Sequence, residues 1–140
     1  MKEHSGDNLE LGPSKPSGQW HEYTYIKIGS EILKKVYIQE RLNNVLRDQT
    51  RRDGGCKLWV TKWFFRPLII GITQDDGQTF RQNVNSAYFT IASAIALILF
   101  CAGYYGASSL PYTLAIAVLP VFVSYKLIER VRQVKADHVY

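Results

Sequence analysis

Charge of either sign is missing from one long stretch of this sequence. Between Gln82 and Tyr125 there is no Asp, Glu, Lys, Arg or His, and all 17 Lys and Arg and all 12 Asp and Glu lie outside it. An uncharged window of about 40 residues has room for two apolar spans of about 20 residues each. An ionisable group inside a span would point to a proton relay or a coupled transporter, and this window offers none.

Other chemistry is scarce too. The two cysteines, Cys56 and Cys101, fall in very different settings and have no Cys or His at metal-ligand spacing, so neither a disulfide nor a metal site is expected. His4, His21 and His138 lie in or near the tails. There is no glycine-rich phosphate loop, no His-Glu-x-x-His and no Gly-x-Ser-x-Gly. Asp75 and Asp76 are adjacent, as in a turn. The chain is therefore expected not to be an enzyme and to hold no cofactor. The basic cluster Arg47, Arg51 and Arg52 is diluted by Asp48 and Asp53 and reads as a solvated helix end, so no nucleic-acid partner is expected. Met1–Gly18 contains no apolar run of the kind a signal peptide needs, and with Lys at residue 2 no lipidation motif is visible, so neither a signal peptide nor a lipid anchor is expected.

What is present is a strong segregation of polar from apolar residues. Residues 1–19, with Gly-Pro-Ser-Lys-Pro-Ser-Gly, read as a disordered tail. Trp20–Ile28 alternates aromatic and polar residues, as a short strand does. From a Ser30 N-cap, Leu33, Val36, Tyr37, Leu42, Val45 and Leu46 recur near helical spacing, so residues 20–56 are expected to carry an amphipathic helix that stops at Asp53-Gly54-Gly55. Residues 57–83 hold Trp59, Trp63, Phe64, Phe65 and Arg66 around Lys62 and Pro67. This mix of rings and cations suits the membrane interface, and Gln74-Asp75-Asp76-Gly77 then forms a turn.

Residues 84–128 are expected to form a transmembrane helical hairpin, with spans near 84–105 and 110–128 joined by Gly106-Ala107-Ser108-Ser109. Tyr104 and Tyr105 fit an aromatic belt. Ala92 and Ala96, and Ala102 and Gly106, are each four apart and would let helices pack closely. Pro120 removes one helical hydrogen bond and kinks the second span. Lys126, Arg130, Arg132 and Lys135 open the basic tail, 129–140, and suit lipid headgroups. Cations flank the window on both sides and the loop has none, so a multi-pass protein with both termini cytoplasmic is expected.

The sequence thus predicts an all-α membrane protein, its two-helix hairpin preceded by an amphipathic helix and an interfacial aromatic segment. It resembles, in architecture alone, membrane-shaping hairpin proteins and small accessory subunits of membrane assemblies. The function this implies is a non-catalytic small subunit of a larger integral membrane complex, with other membrane subunits or copies of itself, and the lipid bilayer, as partners. The second reading is a self-assembling membrane-remodelling or pore-forming protein.

Overall fold

The computed structural model describes residues 1–52, 54–63 and 65–140. The chain divides into two units, one made of Met1–Asn83 with Arg130–Tyr140 and one of Val84–Glu129.

The first unit is built on a mixed sheet of nine strands among the described residues. These are β1 (Lys2–Gly6), β2 (Leu9–Leu11), β3 (Ser14–Ser17), β4 (Trp20–Ile28), β5 (Glu31–Gln39), β6 (Cys56–Trp63), β7 (Arg66–Thr73), β8 (Thr79–Arg81) and β9 (His138–Val139). The order along the sheet is β1-β6-β7-β5-β4-β2, with β3 also on β4, β8 on β7, and β9 on β8. Most pairs are antiparallel; β5 with β7 and β8 with β9 run parallel. The sheet curls until its ends approach each other. Asn8 accepts a hydrogen bond from the Gly29 amide at 2.9 Å, and a Cβ placed on Gly6 would lie 2.6 Å from the Gly29 nitrogen.

Alternation along the strands sends Ile26, Ile28, Val36, Ile38, Leu58, Val60 and Ile69 into one core. Helix α1 (Glu40–Thr50) covers it with Leu42, Val45 and Leu46. Its buried Asn43 accepts a hydrogen bond from the Tyr23 hydroxyl at 2.6 Å, which satisfies a phenol that would otherwise be stranded away from water.

The all-α expectation is therefore wrong. Residues 1–19 are not a disordered tail: β1 pairs with β6, while β2 and β3 pair with β4. The amphipathic helix expected from Glu31 is a strand to Gln39 and a helix only from Glu40. The interfacial segment 57–83 is the β6–β7 pair plus β8. Asp53, read as a breaker, and Phe64, read as an interface residue, lie outside the described residues.

In the second unit, α2 (Asn85–Tyr105) leads through a 3-10 turn (Ala107–Ser109) into α3 (Leu110–Gln133), which contains Pro120 and runs on into the first unit. A chain described by its amphipathic helix, its helical hairpin and its place as an oligomeric accessory subunit in a protein complex is not what the structure supports. A large sheet domain with its own core stands in place of the tail, amphipathic helix and interfacial segment. What remains is that two helices, Asn85–Tyr105 and Ala107–Gln133, are long and apolar enough to cross a membrane.

Candidate functional site: an aromatic cleft on the outer face of the sheet

Ile38 and Ile69 are fully buried in the core. Their neighbours Tyr37 and Leu68 stand on the opposite face, because successive strand residues alternate sides. Tyr37 and Leu68 are register partners across the parallel β5–β7 pair. Trp63 faces Arg66 at the end of β6–β7, and Trp20 opens β4. Together Trp20, Tyr37, Trp63, Arg66 and Leu68 line a cleft of about 410 Å³.

Arg66 is its cation. The guanidinium lies 5.2 Å from the centre of the Tyr37 ring, within cation–π range, and donates a hydrogen bond to the Tyr37 hydroxyl. Burial raises the Tyr37 pKa above its ordinary value; the Glu22 carboxylate bonded to the phenol adds to the rise, and Arg66 opposes it. The phenol therefore stays neutral beside the guanidinium. Beside the cleft, the β6–β7 turn carries Phe65, 97% exposed and at φ +67°. A bulky side chain in the left-handed region costs about 1–2 kcal/mol, and such strain concentrates at functional sites.

A second, polar groove lies where β1, β6 and β7 end, lined by Asp7, Cys56, Lys57 and Asp75 among others. Arg52 reaches Asp75 at 3.5 Å and Asp76 at 3.8 Å. Burial, helped by Asp75, pushes the Cys56 thiol up to about 11. It is a protonated thiol at neutral pH and a poor nucleophile. No group of three or more His, Cys, Asp or Glu is placed to hold a metal ion among the described residues.

The residues picked from the sequence are dispersed by the fold. Trp63 and Arg66 are brought together in the cleft, with Phe65 next to them. Trp59 is half-buried and donates to the Thr73 hydroxyl at 3.2 Å. Tyr104 and Tyr105 are exposed at the end of α2. Ala92, Ala96 and Gly106 are exposed, and Ala102 and Pro120 half-buried. The small residues that are buried are Ala87 and Ala94 on α2, and Ala117 and Ser124 on α3. Each pair is seven apart, two helical turns, so each lies on one face of its helix. Of the basic tail, Lys126 bonds Glu129 at 2.9 Å, Lys135 and Arg132 are exposed, and Arg130 donates to the Thr61 hydroxyl at 2.6 Å and the Lys62 carbonyl at 3.3 Å. Sequence reasoning missed Trp20, Tyr37 and Leu68, which only the pairing of β4, β5 and β7 draws together.

No family model, no curated protein and no solved structure matches this chain.

Proposed function

We propose that the protein is a non-catalytic, membrane-anchored β domain. The helix pair of residues 84–129 crosses the bilayer twice, and the sheet unit stands on the cytoplasmic side with its outer-face cleft free to dock a partner.

One observation carries this reading. The sheet unit is completed by residues from both sides of the helix pair: β9 pairs with β8, placing Phe80 beside His138 and Arg81 beside Val139. The Asn83 amide bonds the Tyr140 carbonyl, and the Tyr140 amide bonds the Arg81 carbonyl. Two flanks that share one sheet lie on one side of any membrane their insertion enters. The loop 106–109 then lies on the other.

Three further facts support it. Only 6% of the most apolar window of α2 and 11% of that of the second helix are buried within the protein. A core helix of a soluble protein would be mostly covered, so these faces call for an apolar solvent. The net charge of +5 resides wholly in the sheet unit, since Lys126 and Glu129 cancel in the helix unit. Cations on both flanks and none in the loop favour a cytoplasmic sheet unit. Alkaline extraction of membranes from expressing cells tests the anchor. The chain is expected in the pellet; recovery in the supernatant would end this reading.

A further inference from the structure

We propose that the cleft lined by Trp20, Tyr37, Trp63, Arg66 and Leu68 binds the phosphate-bearing headgroup of an anionic phospholipid, with Phe65 entering the bilayer surface beside it. This rests on the membrane-anchored reading above and names the ligand of its cleft.

The first argument is location. Arg130, the first residue of the sheet unit after the helix pair, is bonded to Thr61. Thr61 is the cross-strand partner of Leu68, and Leu68 lines the cleft. Arg130 lies five residues beyond the uncharged window that closes at Tyr125, on the same helix, and belongs near headgroup depth if that window is in hydrocarbon. The cleft opens one strand away from it, about 5 Å in sheet spacing.

The second is chemistry. A guanidinium carries five N–H donors in a planar fork suited to phosphate. One donor of Arg66 goes to Tyr37, which fixes the group, and the planar fork suits a phosphate oxygen. The indoles of Trp20 and Trp63 supply the amphipathic wall that a glycerol backbone and the first acyl carbons meet at the interface.

The third is Phe65. Its ring is 97% exposed and its backbone sits in the left-handed region at φ +67°. At the level of the headgroups it gains an apolar phase.

The test uses the full chain in lipid nanodiscs. Its Trp emission is quenched by brominated phosphatidylglycerol or, at equal mole fraction, by brominated phosphatidylcholine. The glycerol lipid is expected to quench more strongly, consistent with about fivefold enrichment at one cation. Arg66→Gln is expected to remove that excess, while Lys34→Gln, an equal loss of charge on an exposed strand position, keeps it. Phe65→Ser is expected to weaken quenching by both lipids with unchanged circular dichroism. Equal quenching by the two lipids in the wild type, or an excess that survives Arg66→Gln, overturns the headgroup site while the chain's presence in the discs leaves the anchor standing. A chain that never enters the discs overturns both. Glycerol phosphate added to phosphatidylcholine discs is expected to leave the emission unchanged; a shift would assign the cleft to a soluble anion instead.

Discussion

Thr79 and Asp137 hold each other by two reciprocal hydrogen bonds. The Asp137 amide donates to the Thr79 carbonyl at 2.9 Å, and the Thr79 amide donates to the Asp137 carboxylate at 2.9 Å. One residue precedes the helix pair and the other follows it, so this exchange closes the sheet unit across its insertion. A hydrogen bond to an exposed carboxylate is worth about 1 kcal/mol net. Asp137→Ala is expected to lower stability by that amount. It should also speed amide exchange at Thr79, Arg81 and Tyr140 selectively, as read by hydrogen–deuterium exchange. Uniform exchange across the sheet would show that the strand is not held there.

Gly6 sits where β1 meets the β4–β5 turn. An added Cβ would lie 2.6 Å from the Gly29 nitrogen, 2.8 Å from its Cα and 3.0 Å from the Ile28 carbonyl carbon. All three are backbone atoms that no rotamer change can move. Gly6→Ala is expected to cost about 1–3 kcal/mol, as overpacking does. Gly18→Asn is the contrast: its φ is +63° with open space around it, and Asn tolerates that region. Thermal unfolding in detergent should lower the midpoint for the first and barely shift it for the second.

Cys56 has its thiol raised from 9 to about 11 by burial and by Asp75. A raised thiol pKa means that the native state keeps a proton the unfolded chain has released between pH 9 and 11. Its contribution to stability is complete below pH 9 and is lost as pH rises through 11. Iodoacetamide at pH 8 is expected to leave Cys56 unmodified in the folded protein and to label it after denaturation. Labelling at equal rates in both states would contradict the buried site.

The apolar helices were legible because their signal is local and long. The spans read at 84–105 and 110–128 meet α2 and the start of α3. The strand at Trp20–Ile28 and the turn at Gln74–Gly77, where the Gly77 amide bonds the Gln74 carbonyl at 3.0 Å, were legible for the same reason. The rest depended on partners distant in sequence. Lys2–Gly6 has no apolar alternation and becomes a strand only by pairing with Cys56–Val60. In Glu31–Gln39, Leu33, Val36 and Tyr37 mimic a helical stripe. The signal overlooked was Gly29-Ser30, a two-residue β-turn that sets Ile28 opposite Glu31. The β6–β7 connection has aromatic residues where Asn or Gly marks a turn, so Trp63 to Arg66 gave no turn signal at all. Half of the cleft was therefore in view, as Trp63 and Arg66 in a segment read as interfacial, and the other half was hidden in β4, β5 and the register of β7.

The central claim is that one sheet unit receives both flanks of a membrane-crossing helix pair. Single cysteines introduced as Ser17→Cys, Ser108→Cys and Lys135→Cys, in a chain with Cys56 and Cys101 replaced by Ser, test it most directly. Sealed vesicles are treated with a membrane-impermeant maleimide. The account predicts that positions 17 and 135 label together from one side and position 108 only from the other. Labelling of 17 and 135 from opposite sides, or of all three from the same side, would contradict it.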